Sequence, residues 1–144
     1  MEIKTVLLAE DNPRDAELTL EALKENNLAN DIIWVQDGEM VMNYLLKEGE
    51  FADRNPGLPA VVILDLKMPK MDGIETLAAI RSNEKLKSIP VVMLTSSQQE
   101  EDLVKSYDLG VNAYVVKPVD LADFMEAIKQ LGMFWVVVNQ SPKI

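Results

Sequence analysis

Ala60-Val61-Val62-Ile63-Leu64-Asp65-Leu66-Lys67-Met68-Pro69-Lys70-Met71-Asp72-Gly73 is the stretch on which the reading of this chain turns. Its first five residues are apolar without a break, the pattern of a strand covered on both faces rather than one. The run ends on a carboxylate, Asp65. Turn chemistry follows, with Asp72 and Gly73 placed to lead into a helix.

Four other runs share this character: Thr5–Ala9, Ile32–Gln36, Val91–Thr95 and Ala113–Val116. Amphipathic segments separate them. The first opens on Asn12-Pro13, a helix-capping residue followed by a proline suited to the first helical position. Its inward stripe is expected at Ala16, Leu20 and Leu23. Val41 and Leu45 mark a second helix, Ile74, Leu77 and Ala78 a third, and Leu103 and Val104 a fourth. A fifth opens at Asp120 and carries Leu121, Phe124, Ile128 and Leu131. Strand-helix alternation of this kind predicts an α/β fold, a doubly wound five-stranded parallel sheet of the flavodoxin-like order 2-1-3-4-5. In such sheets the site lies beyond the carboxyl ends of the strands, at the switch between the first and third.

Two stretches fall outside the repeat: the polar connection 48–59, and residues 133–144 with the run Phe134-Trp135-Val136-Val137-Val138. The expected division is a domain over 1–132 and a C-terminal extension over 133–144. Two readings of the extension are open. It covers the domain's own core, or it forms a self-association surface.

The chain has 144 residues, enough for one domain with a real core, and neither cysteine nor histidine. Thiol nucleophiles, disulfides, imidazole bases and His-ligated metals are therefore excluded. A net charge of −10 without a basic block argues against binding nucleic acid. No apolar stretch is long enough for a membrane span, and Met1-Glu2-Ile3-Lys4 lacks a basic leader, so a cytoplasmic protein is expected.

The predicted strand ends carry Glu10-Asp11, Asp65, Thr95 and Lys117-Pro118. If the topology holds, they converge on one rim. Two carboxylates ~4 Å apart repel by about 4 kcal/mol at an intermediate dielectric, so the cluster calls for a cation or a proton. Oxygen-only ligands point to a hard ion, with Mg²⁺ the natural candidate. Asp65 then suits nucleophilic attack on a phosphoryl group, with the metal and Lys117 supplying positive charge and Thr95 a hydroxyl donor.

Over residues 3–132 the chain resembles the receiver domain of two-component response regulators. The likeness rests on Glu10-Asp11-Asn12, Val61–Gly73, Met93-Leu94-Thr95-Ser96 and Ala113–Pro118. It implies a single-domain signalling switch, not an enzyme with an external substrate. Asp65 would accept a phosphoryl group from a sensor histidine kinase. Asp11, Asp65 and the backbone carbonyl of Lys67 would ligate Mg²⁺, with Glu10 acting through water. The Lys117-Pro118 peptide would be cis. Thr95 and Tyr114 would form the switch pair, altering the face made by the fourth helix, fifth strand and fifth helix. Glu10 departs from the commoner Asp at its position. The residues two beyond Asp65 and Thr95, Lys67 and Ser97, are positions that tune phosphate lifetime. The Phe-Trp tail and long connection resemble the small receivers associated with phytochromes, implying a bacteriophytochrome kinase as partner and a homodimer. With twelve residues after the fifth helix, output is expected through a downstream protein partner.

Rival readings fit less well. A haloacid-dehalogenase-type phosphatase needs a second Asp where Lys67 stands. A flavodoxin needs a phosphate loop where Glu10-Asp11 would repel the ligand. A docking module that works without phosphorylation would not need the full set of acids and lysine.

Overall fold

The computed structural model describes residues 5–25, 31–54 and 57–130. In chain order the elements are β1 (Thr5–Ala9), α1 (Pro13–Glu25), β2 (Asp31–Val35), α2 (Gly38–Leu46), a 3₁₀ turn (Gly49–Phe51), β3 (Val61–Asp65), α3 (Gly73–Ser82), β4 (Val91–Thr95), α4 (Gln98–Ser106), β5 (Ala113–Val116) and α5 (Leu121–Gln130). All pairings are parallel, in the order β2-β1-β3-β4-β5. Three strands begin and end where the sequence places them. The second and third are displaced by one residue, so Asp65 is the last residue of β3 rather than the first beyond it.

Register explains the unbroken apolar runs. Leu8 pairs with Ile63, Ile63 with Val92, and Val92 with Ala113. These side chains share one face of the sheet with Ala16, Leu23, Phe124 and Ala127 of α1 and α5. Their alternates, Leu7, Val62, Leu64, Val91 and Met93, meet Val41, Leu45, Leu77, Ile80 and Val104 of α2, α3 and α4 on the other. Side chains alternate between faces along a strand, so two buried faces require every residue to be apolar.

Helix starts are specified locally. The Asn12 side chain accepts from the Arg14 and Asp15 amides at 2.9 and 3.1 Å. Asp37 accepts from Met40 N at 2.8 Å. Asp72 and Glu75 form a reciprocal capping box at α3. Gly73 is required by proximity: a Cβ there would lie 2.5 Å from the carbonyl oxygen of Asp65. The start of α3 is thereby pressed against the end of β3.

Some helix faces differ from expectation. Leu103 is 48% exposed, and α4 buries Val104 alone. In α3 Ile74 and Ala78 are half-buried, while Thr76 and Ile80 join Leu77 inside. Thr76 is tolerated there because its hydroxyl donates to the Asp72 carbonyl at 2.7 Å. Leu20 is half-buried and Thr19 takes the inner place.

The connection 48–59 is pinned along its described part. Arg54 stacks over the Tyr44 ring at 4.3 Å and donates through Nε to the Tyr44 carbonyl at 2.6 Å, against the last turn of α2. Phe51 meets the same ring edge-on. At the amino-terminal end of the sheet, Arg81 donates to the carbonyls of Leu109, Lys87, Ile89 and Gly110 and to Asn112 Oδ1. It thus ties α3 to the segments entering β4 and β5. The extension 133–144, its boundary at 132, and Leu131 lie outside the described residues, and so does the choice between an inward-packed and a self-associating tail. No helix among the described residues is long and apolar enough to cross a membrane.

Candidate functional site

The parallel order puts the ends of β1, β3, β4 and β5 side by side, and Glu10, Asp65, Thr95 and Lys117 stand at those ends. Glu10 is fully buried. Its backbone is fixed between strands, the amide donating to the Val35 carbonyl at 3.0 Å and the carbonyl accepting from Trp34 Nε1 at 2.8 Å. Its side chain accepts from Asn12 N and from Lys117 Nζ. Asp65 is 4% exposed, and Asp11 lies open to solvent at the mouth.

One carboxylate oxygen from each of Glu10, Asp11 and Asp65 can be chosen so that all three lie within 4.8 Å of one another. Lys117 Nζ reaches Glu10 Oε1 at 3.0 Å, Asp65 Oδ1 at 3.1 Å and Asp15 Oδ2 at 3.2 Å. An ammonium has three donors, so each has a carboxylate facing it. The balance is four carboxylates to one ammonium. A pair of like charges at that separation repels by roughly 3 kcal/mol at an effective dielectric of about 20.

The titration of Glu10 registers this imbalance. Burial pushes its carboxyl up, the adjacent Asp65 adds to the effect, and it settles at about 7 against an ordinary 4.5. Burial would pull the Lys117 ammonium down, but the hydrogen bond to Glu10 and the Asp65 charge prevail, holding it above an ordinary lysine. Lys117 precedes a cis peptide to Pro118, as expected, and its amide donates to the Thr95 carbonyl at 2.9 Å.

Thr95 is wholly buried, and its Oγ1 has no hydrogen-bond partner among the described residues. A buried hydroxyl in that state typically costs about 1–3 kcal/mol, so it calls for a reason. Tyr114, on β5, is half-buried, with the Lys105 ammonium 5.2 Å from its ring centroid. Lys67 stands on the loop after β3, and with Asp11, Leu66, Met68 and Leu103 it lines a cleft opening beside the acidic cluster.

Sequence reasoning missed two residues. Asp15, an acid in the first turn of α1, is one of the three partners of Lys117, and its nearness in sequence to Glu10-Asp11 is the available signal. Glu100, an acid in the first turn of α4, accepts from Ser96 N at 2.7 Å and pairs with Lys67 at 3.6 Å.

Comparison with known proteins agrees with this geometry. The response regulator receiver domain matches residues 6–129. The solved bacteriophytochrome response regulator RtBRR is 56% identical, with a TM-score of 0.90 over 98% of this chain and 85% of its own. A second bacteriophytochrome response regulator, AtBRR, is 52% identical, with a TM-score of 0.91 over 97% and 100%. Response regulator Rcp1 of Synechocystis sp. is 40% identical over 92% of this chain and 89% of that protein. Its Mn²⁺-bound form has been solved, with a TM-score of 0.73 over 97% of this chain and 99% of that one. Receiver domains are signalling switches that histidine kinases phosphorylate and that bind Mg²⁺ in an acidic pocket. With this fold, these strand-end residues and these relatives, the chain belongs to the response regulator receiver domain family.

Proposed function

We propose that this chain is a phosphorylation-dependent switch in which Asp65 accepts a phosphoryl group from a sensor histidine kinase. The observation that carries this reading is the state of the rim: Asp65 is held 3.1 Å from Lys117 within an acidic cluster, while the neighbouring strand ends in a buried Thr95 hydroxyl without a partner among the described residues. An Asp65 oxygen attacks phosphorus, the bond to the donor nitrogen breaks, and the donor imidazole departs with the electron pair. Lys117 faces the new negative charge, and the Thr95 hydroxyl gains the acceptor it lacks. Tyr114 follows Thr95 and changes the face it shares with α4.

The donor set fits a hard divalent cation, being oxygen throughout, with the Glu10 carboxyl raised by burial and by Asp65. Asp11, Asp65 and the Lys67 carbonyl would hold Mg²⁺, with Glu10 acting through water. Bound there, the ion supplies charge neutralisation for the anionic transferring group. The likeness to bacteriophytochrome response regulators favours a bacteriophytochrome kinase as donor. A cytoplasmic site of action and a downstream protein partner go with this reading. So does the homodimer that the resemblance to phytochrome-associated receivers implies, which sedimentation with a phosphoryl mimic would test against a tail containing Phe134–Val138 that covers its own domain.

Intact-mass analysis after incubation with acetyl phosphate and Mg²⁺ tests the acceptor. One added phosphoryl group is expected in the wild type and none in Asp65→Asn. An adduct persisting in the variant would move the acceptor elsewhere.

A further inference from the structure

We propose that Glu100 is a positioning residue, a resting-state latch whose carboxylate occupies the backbone donor beside Thr95 and opposes the arrival of a phosphoryl group. The inference rests on Asp65 being the acceptor. Two helix starts in the molecule differ. At α3 the third helical residue, Glu75, returns its carboxylate to the amide of the capping residue itself, Asp72, at 3.2 Å. At α4 the capping residue is Ser97 and the corresponding acid is Glu100. Glu100 instead accepts from Ser96 N, one residue farther towards the strand end, at 2.7 Å. Helix capping alone does not require that extra reach.

The donor it takes is well placed. Asp65 pairs in register with Leu94, Thr95 ends β4 one residue on, and Ser96 is the first residue beyond the strand. A phosphoryl group on Asp65 brings three acceptor oxygens and nearly two negative charges to the rim. Thr95 Oγ1 has no hydrogen-bond partner among the described residues, whereas the Ser96 amide already holds a carboxylate. The second Glu100 oxygen lies 3.6 Å from Lys67 Nζ, two residues beyond Asp65. The Lys67 side chain is 83% exposed, so that pair is the weaker contact, while Glu100 itself is 18% exposed and its short charge-assisted bond to Ser96 dominates. Glu100 therefore joins the loop after β3 to the loop after β4. Leu103, three residues on along α4, lines the cleft between them with Lys67 and Leu66. Incoming phosphoryl charge repels the latch, and its release frees the start of α4.

Glu100→Gln keeps the shape and an acceptor for Ser96 N but removes the charge. Affinity for beryllofluoride, a stable phosphoryl mimic, is measured in saturating Mg²⁺ for wild type, Glu100→Gln and Asp102→Asn, an exposed acid of the same helix turn. Glu100→Gln is expected to bind about three- to tenfold tighter, the scale of removing one partly screened like charge. Its Ser96 amide proton should lose part of its downfield NMR shift, while Mg²⁺ affinity and melting temperature stay close to wild type. Asp102→Asn should match wild type. Equal or weaker binding by Glu100→Gln, or equal tightening by Asp102→Asn, overturns the latch. A wild type that fails to bind beryllofluoride while binding Mg²⁺ overturns the acceptor reading itself, and the latch falls with it.

Discussion

Arg81 and Lys117 stand at opposite ends of the same sheet, and each is the cation around which its end is organised. Arg81 meets five acceptors, four carbonyls and one side-chain amide oxygen, all neutral. Its five donors are matched and nothing further is called for, although burial pulls the guanidinium below its ordinary value. Lys117 meets three acceptors, all carboxylates, with Asp11 a fourth acid close by. Its donors are matched too, but the charge is not. One end is closed by hydrogen bonding; the other is left electrostatically open. Structure is secured where the chain's own carbonyls suffice, and the proposed function is lodged where a cation and an anion from outside would complete the arrangement.

The largest effect that sharpens this contrast is at the closed end. Arg81→Met should cost about 3 kcal/mol by leaving the part-buried carbonyls of Leu109 and Ile89 without their donor and untying α3 from the segments entering β4 and β5. Urea denaturation would show the loss, while the stoichiometry of the phosphoryl adduct should be unchanged. A stability change below a few tenths would break the comparison.

Next comes pH at the open end. The folded-state pKa of Glu10, about 7, lies above its unfolded value near 4.5, so the folded state binds more protons between them. The contribution of Glu10 is therefore fully present below pH 4.5 and is lost as pH rises through 7. Metal-free stability should fall across that window by on the order of 2 kcal/mol. Saturating Mg²⁺ should flatten the slope, because the ion replaces the proton. Glu10→Gln should flatten it without metal, and an undiminished slope in that variant would assign the titration elsewhere.

A smaller effect is expected at Thr95. Thr95→Val removes a buried hydroxyl that has no partner, so the metal-free protein should gain up to about 1 kcal/mol. Binding of beryllofluoride should weaken about tenfold, the scale of one lost hydrogen bond to a charged group. Lower stability with unchanged binding would show the hydroxyl to be satisfied at rest.

How much of this was legible in the sequence depended on what each residue contacts. The strands were readable because both faces of a parallel sheet are buried, leaving Val61–Leu64 no room for a polar residue. The order followed from alternation. The short helices were less readable: α4 has few apolar residues, so the pattern does not settle which of Leu103 and Val104 turns inward. Thr76 enters the core through a hydrogen bond within its own helix, invisible to a hydrophobic pattern. At the site, Glu10, Asp11, Asp65, Thr95 and Lys117 were readable because each ends a strand or follows one. Asp15 and Glu100 were not, because acids in the first turn of a helix are already favoured by its dipole and excite no question. Arg81 was the least readable, since most of its partners are backbone carbonyls, which every residue carries.

The carboxyl-terminal edge holds more negative charge than its one ammonium neutralises, and Asp65 is part of the excess. Thermal melting of wild type and Asp65→Asn, without divalent ions and in Mg²⁺, tests it most directly. Without metal the variant should melt higher, relief of like-charge repulsion outweighing one lost contact with Lys117. In Mg²⁺ at 100 times its dissociation constant the wild type should gain about 2.7 kcal/mol and the variant far less, reversing or closing the gap. A wild type that melts above the variant without metal, and at the same temperature with or without Mg²⁺, would contradict the account.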